Sequence, residues 1–148
     1  MTNARTLSTA MLSITLLLVG PACADDSLHK AAHRGDVAQV TALLKKGVDP
    51  DARDSYGGTA LHAAMFQPDI RVVELLISHG FDVNAVGPRN GYTPLHDAVW
   101  ADNVAAARVL LTHGARTDIR GKDGLTPYDK AVRERKQAMA ELLKNAQR

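Results

Sequence analysis

The 148-residue chain holds one cysteine, Cys23, so it can form no intrachain disulfide and no cysteine-rich metal site. Aromatic residues make up 4% of it (one Trp, three Tyr, two Phe), which argues against a thick aromatic core. Charge of either sign is not in excess: 18 Lys+Arg stand against 16 Asp+Glu, a net +2 that argues against a general nucleic-acid or membrane-surface binder. No apolar run is long enough to span a bilayer comfortably, since the longest, Ala10 to Val19, falls short of the roughly 20 residues a spanning helix needs. Catalytic signatures are missing too: there is no G-x-S-x-G elbow, no Walker-type loop and no G-x-G-x-x-G. What remains is ordinary globular composition, with 45% hydrophobic and 23% charged residues, and it does not describe a disordered chain.

Residues 1–24 read as a secretory signal. Arg5 precedes the apolar run, Gly20 and Pro21 break it, and Ala22-Cys23-Ala24 supplies an A-x-A type site with cleavage expected before Asp25. Lipidation at Cys23 is the minor alternative, because no leucine precedes it in the usual place. Cleavage would leave a thiol-free mature protein, which suits an oxidising compartment such as the bacterial periplasm. Charge is uneven over that mature chain. Residues 25–115 carry 8 bases and 11 acids, whereas residues 116–148 carry 9 bases and 5 acids. The basic end reads as a solvated face.

The rest is one unit written four times. Leu28-His29, Leu61-His62, Leu95-His96 and Tyr128-Asp129 recur at a period near 33, as do Leu43-Leu44, Leu76-Ile77, Leu110-Leu111 and Leu142-Leu143. Gly47, Gly80 and Gly114 keep the same register and stop the second helix of each unit. Each unit predicts a short helix opened by Thr59, Thr93 or Thr126 as N-cap, with Pro94 and Pro127 at the first helical position. A turn and a second helix follow, the latter apolar at i, i+3, i+4 (Val40, Leu43, Leu44; Val73, Leu76, Ile77; Ala107, Leu110, Leu111). Pairs such as Ala31-Ala32 and Ala63-Ala64 let units approach closely, and stacking supplies the core that no unit has alone.

This pattern resembles the ankyrin repeat, most closely in Thr93-Pro94-Leu95-His96, in Leu-Leu-x-x-Gly at 43–47 and 110–114, and in Asp82-Val83-Asn84-Ala85. The resemblance covers residues 25–148. It implies an all-α solenoid of about four helix-turn-helix repeats (25–53, 54–86, 87–120 and 121–148) joined by β-hairpin-like loops, with both end units acting as caps. It also implies that the histidine of the Leu-His pair, His62 or His96, is structural. His79 and His113 fall in the last turn of a helix, where a partly positive ring suits the dipole.

The resemblance implies a binding scaffold with no shared chemistry. Partners of such proteins dock on the turn tips and on the exposed side of the first helices. Those places hold Tyr56, Phe66, Arg89, Tyr92, Trp100, Arg34 and Arg133, so four of the six aromatics are expected at the surface, leaving Phe81 and Tyr128 for the core. The opposing reading folds Phe66 and Trp100 back over the helix ends. The expected function is a non-catalytic periplasmic module that binds another protein, without cofactor, nucleic acid or stable membrane insertion. It would serve as an accessory or regulatory factor, for example for an oxidative-stress enzyme, or as an immunity protein that blocks a toxin. A different class is a metal or ligand binder using His29 and His33, four apart on one helix. A third is self-association through an apolar face.

Overall fold

The computed structural model describes residues 26–147, and the reading of residues 1–24 as a signal lies outside them. Eight helices are present among the described residues: α1 (Ser27–Arg34), α2 (Val37–Leu44), α3 (Ala60–Ala64), α4 (Arg71–Ser78), α5 (Pro94–Trp100), α6 (Val104–Thr112), α7 (Pro127–Arg133) and α8 (Gln137–Ala146). They form four antiparallel pairs in two layers. The inner helices α1, α3, α5 and α7 pack each on the next, and so do the outer helices α2, α4, α6 and α8.

Side-chain size sets the spacing of the inner layer. Ala31, Ala32, Ala60, Ala64, Ala98 and Ala131 have no exposed surface, and each leaves room for the neighbouring helix. Larger residues fill the space between the layers: Leu61, Met65, Leu76, Leu95, Leu110, Met139 and Leu143 are fully buried. Each such side chain removed from water contributes about 1.5–3 kcal/mol, so the core needs no aromatic stack. Phe81 is buried, and Tyr128 packs against the core from its edge.

The close inner packing brings one polar contact into every repeat. In α3 the Thr59 amide donates to His62 Nδ1 at 3.1 Å, and in α5 the Thr93 amide donates to His96 Nδ1 at 3.2 Å. Each hydroxyl also lies 3.0 Å from the same ring nitrogen. The Nε2 of His62 then reaches the Tyr92 carbonyl and that of His96 the Leu125 carbonyl, both at 3.2 Å in the next loop. With Nδ1 accepting, Nε2 carries the proton and donates. His29 Nε2 makes the same contact with Ala52. In α7 the pair becomes Thr126 and Asp129, which exchange two bonds of 3.1 Å. The threonine cap of α3 and α5 thus works mainly through the histidine that answers it. His79 and His113 have a different place, with Nδ1 2.8 Å from the Leu75 and Val109 carbonyls at the exposed ends of α4 and α6.

Side chains at the inner turns join the repeats a second time. Gln67 donates to the His33 carbonyl, Asn103 to the carbonyls of Met65 and Gln67, and Lys136 to those of Val99 and Trp100. The carbonyls left over at the inner helix ends are thereby satisfied. Gly80 and Gly114 follow the outer helices in left-handed backbone (φ 86° and 84°), where a Cβ would be strained.

The connecting loops are hairpin-like at their tips alone: no strand occurs among the described residues. Each tip is closed by two backbone bonds and no more: the Asp54, Gly87 and Gly121 amides donate to the Gly58, Tyr92 and Leu125 carbonyls (2.9, 2.8 and 3.0 Å), and the Gly57, Gly91 and Gly124 amides donate back to the Asp54, Gly87 and Gly121 carbonyls (2.9, 2.8 and 2.9 Å). The reason is local competition. Asp54, Asn90 and Asp123 take up loop amides with their own side chains, and those amides are lost to a ladder.

Two buried ionisable groups make the fold sensitive to pH in opposite directions. Burial pulls the His62 imidazole down to about 4, against the pull of the Tyr92 carbonyl. Burial pushes the Asp97 carboxyl up to about 7, with Lys130 lowering it and Asp54 raising it. Between about pH 4 and 6.5 the unfolded chain takes up a proton at His62 that the folded chain refuses, so this group makes stability rise with pH. Over about pH 4 to 7 the folded chain keeps a proton on Asp97 that the unfolded chain releases, so this group makes stability fall with pH. Each is worth about 3–4 kcal/mol across its window, and they largely cancel. Asp97→Asn is expected to raise the unfolding free energy at about pH 8 by about 2 kcal/mol or more. It should also unmask a rise in stability between about pH 4 and 6.5, both read from urea unfolding at a series of pH values. Separately, His96→Leu should cost about 2–3 kcal/mol by stranding the Thr93 amide and the Leu125 carbonyl, whereas the exposed His79→Leu should cost under about 1 kcal/mol.

Candidate functional site

The last turn of each inner helix ends at the same edge of the molecule. His33, Phe66, Trp100 and Arg133 hold equivalent positions there. The first three rings form a file along that edge. His33 and Phe66 have centroids 5.7 Å apart and are tilted, and Phe66 meets Trp100 edge to face at 5.7 Å. Edge-to-face contact is a favoured aromatic geometry, so the file is held by its own members. Trp100 remains 61% exposed and Phe66 38% exposed.

The loop tips face this file. Tyr56, 69% exposed, lies under the Arg89 guanidinium at 5.1 Å. Between tips and helix ends runs an open groove of about 660 Å³. Arg34, Tyr56, Phe66, Arg89 and Trp100 all line it, so five of the seven expected docking residues share one concavity. Arg34 is held in place by a 2.8 Å bond to Gln39.

The other two stand elsewhere. Tyr92 does not line the groove and is half-buried. Its ring stacks on His96 with centroids 5.0 Å apart and planes 4° apart. Its hydroxyl donates to Asp123 Oδ2 and accepts from Lys130 Nζ, both at 2.8 Å, and the Lys130 ammonium lies 4.5 Å from the ring centroid. Gly121 is the reason the ring fits: a Cβ there would come within 2.6 Å of Tyr92. Tyr92 therefore ties the third repeat to the fourth and is no free anchor. Arg133 approaches Asp123 at 3.8 Å within the same cluster. Burial opposes charge on Lys130, yet the Tyr92 hydroxyl and Glu134 raise its pKa above the ordinary lysine value.

Among the expected motif residues, Thr59, His62, Thr93, Pro94, His96, Thr126 and Pro127 open the inner helices as described, and Gly47, Gly80 and Gly114 follow the outer ones. His29 and His33 both line the groove, but no three His, Cys, Asp or Glu side chains gather as a metal site among the described residues. No described helix is long and apolar enough to cross a membrane.

The groove also contains acids that the sequence reading passed over. Asp97, on α5, is 8% exposed, and Asp54, in the preceding tip, is half-buried. The signal for Asp97 was present in the repeat. Its equivalents are Lys30, Ala63 and Lys130, so one unit places a carboxyl where the others place an alanine or a cation. Asp26 lines the groove as a third acid, and Lys30, Arg34 and Arg89 give it positive side chains around these carboxyls.

Comparison with known proteins agrees with the repeat fold. The family model described as ankyrin repeats (3 copies) matches residues 28–121. Human cyclin-dependent kinase 4 inhibitor B is 35% identical over 122 residues, spanning 82% of this chain and 88% of that protein. Human cyclin-dependent kinase inhibitor 2A is 40% identical over 106 residues, spanning 72% of this chain and 67% of that protein. The tyrosine-protein kinase HTK16 of Hydra vulgaris is 33% identical over 120 residues, which cover 16% of its own length. Stacked helix pairs, the Thr-x-x-His caps and these matches lead to one conclusion: the chain belongs to the ankyrin repeat family.

Proposed function

We propose that this protein is a non-catalytic regulatory module that binds another protein in the groove between the loop tips and the inner helix ends. The observation that carries the reading is the placement of scarce aromatics. Three of six, Tyr56, Phe66 and Trp100, line one groove and stay exposed, and apart from them only Val86 and Val132 among the described large apolar residues are exposed. Interfaces concentrate binding energy in such anchors, and a groove built on packed helices spends little ordering entropy on docking. The stated role of two relatives supports a regulatory function, since both are named as inhibitors of a cyclin-dependent kinase. An enzyme is accordingly the class of partner proposed.

The cellular setting proposed is the bacterial periplasm, resting on the signal-like residues 1–24 and on the absence of cysteine from residues 25–148. There the protein would act as an accessory factor for an enzyme, for example one that handles oxidative stress. The inhibitory relatives favour a second version of the same physics, an immunity protein that covers a toxin's active site.

Trp100→Ala is expected to weaken partner binding by about 2 kcal/mol or more, roughly thirtyfold, while far-UV circular dichroism stays unchanged. Affinity capture with wild-type and variant protein, followed by titration of the captured partner, measures this. An unchanged affinity removes Trp100 from the interface.

A further inference from the structure

Asp97 is costly where it stands. Its side chain is 8% exposed, and it lines a groove whose walls include Trp100, Phe66 and Tyr56. No hydrogen bond to its carboxylate is formed among the described residues, although many of the other acids, such as Asp54, Asp69 and Asp123, accept at least one. The Lys130 ammonium offsets this burial only in part, being engaged with the Tyr92 hydroxyl and Glu134, so a carboxylate that accepts no hydrogen bond here gains from a further cation. Asp54 lies in the same groove and adds negative charge beside it. One of its oxygens accepts from the Tyr56 and Gly58 amides, leaving the other free of those bonds.

We propose that the partner segment docked in this groove inserts one cationic side chain, arginine or lysine, onto the carboxylates of Asp97 and Asp54. This rests on the reading of the groove as a protein-binding site and names the chemistry of its occupant. Complementarity extends to the surroundings. Lys30, Arg34 and Arg89 line the groove as well and favour acidic residues on either side of that cation. The exposed Trp100 offers a ring face of the kind that attracts a guanidinium or ammonium. A metal ion is the weaker occupant. His62 has both ring nitrogens committed to Thr59 and to the Tyr92 carbonyl, and no three His, Cys, Asp or Glu side chains of the described residues gather as a metal site.

Docking of a cation would stabilise the ionised form of Asp97, whose carboxyl is pushed up to about 7 in the free protein. Binding should therefore strengthen as pH rises through that value. The charged groups that act on Asp97 are Lys130 from α7 and Asp54 from the loop before α3, while His62 from α3, Asp26, His29, Lys30, His33 and Arg34 from the first repeat and Arg89 from the next tip share the groove. The buried face of α6 (Ala106, Ala107 and Leu110) brings no ionisable group. His62, at about 4, and Lys130, held above the ordinary lysine value, keep their charge states between about pH 5.5 and 8.

The chain's one tryptophan, Trp100, lies in the groove and reports on it directly. The probe is the peptide acetyl-Glu-Leu-Arg-Leu-Glu-amide, set against the same peptide with uncharged citrulline in place of arginine, each titrated against Trp100 fluorescence. The arginine peptide should bind roughly tenfold more tightly than the citrulline peptide at about pH 8. Its affinity should fall at least about fivefold at about pH 5.5. Asp97→Asn should bring the arginine peptide down to the citrulline level and abolish the pH dependence. Equal affinity for the two peptides would overturn the proposal, as would an arginine preference that survives in Asp97→Asn, or no saturable response up to about 10 mM. The peptide comparison in wild-type protein stands even if the variant folds poorly. If the two peptides bind alike while Trp100→Ala still weakens partner binding, the cation site fails and the protein-binding groove survives. If partner binding ignores Trp100, both fail.

Discussion

Everything in this molecule depends on how closely its inner helices approach. Alanines on the facing surfaces allow it, and the result is that an imidazole on one helix reaches a carbonyl in the next repeat's loop at 3.2 Å. The ring can make that bond and also accept at its other nitrogen from the threonine at the helix start only when it is neutral. A small residue, a histidine and a threonine thus set the repeat spacing together. The turn side chains Gln67, Asn103 and Lys136 fasten the same interfaces from the opposite end of the inner helices.

The groove is a consequence of that spacing. Helices stacked at a fixed step end at a common edge, so one position in each repeat forms a file. In this chain the file carries His33, Phe66 and Trp100 and then turns to Arg133. The change of residue type marks a change of role. The first three repeats line the groove, and the fourth is tied down by the cluster of Tyr92, Asp123, Lys130 and Glu134. The basic charge that collects in residues 116–148 is thereby partly consumed inside the structure, since Lys130 is buried and Lys136 caps the end of α5.

The sequence disclosed the architecture because burial repeats. Leu28-His29, Leu61-His62 and Leu95-His96 occupy sites that only an apolar residue and a bonded imidazole satisfy, so the period is visible in the letters. It disclosed part of the groove for the same reason: Tyr56, Phe66 and Trp100 stand at tip and helix-end positions that the repeat leaves open. Tyr92 stands at such a position as well, yet its environment is made by residues far along the chain. Gly121 leaves space for its ring, and Asp123 and Lys130, 31 and 38 residues on, hold its hydroxyl. Asp97 was overlooked because a carboxylate beside a histidine ordinarily reads as solvated, and its burial depends on how neighbouring units close over it. The resemblance implied hairpin-like loops, and their tips are closed as hairpin tips are. In the folded chain the aspartate and asparagine side chains bind amides that a strand would need.

The central claim is that the groove, and not the outer helical face, meets a protein partner. Photo-crosslinking tests it most directly. Tyr56→p-benzoylphenylalanine puts the reactive group in the groove, and Arg108→p-benzoylphenylalanine puts it on the exposed side of the outer helix α6. The account predicts a discrete crosslinked protein from position 56 and none from position 108. A crosslink from position 108 alone, or equal crosslinking from both, would contradict it.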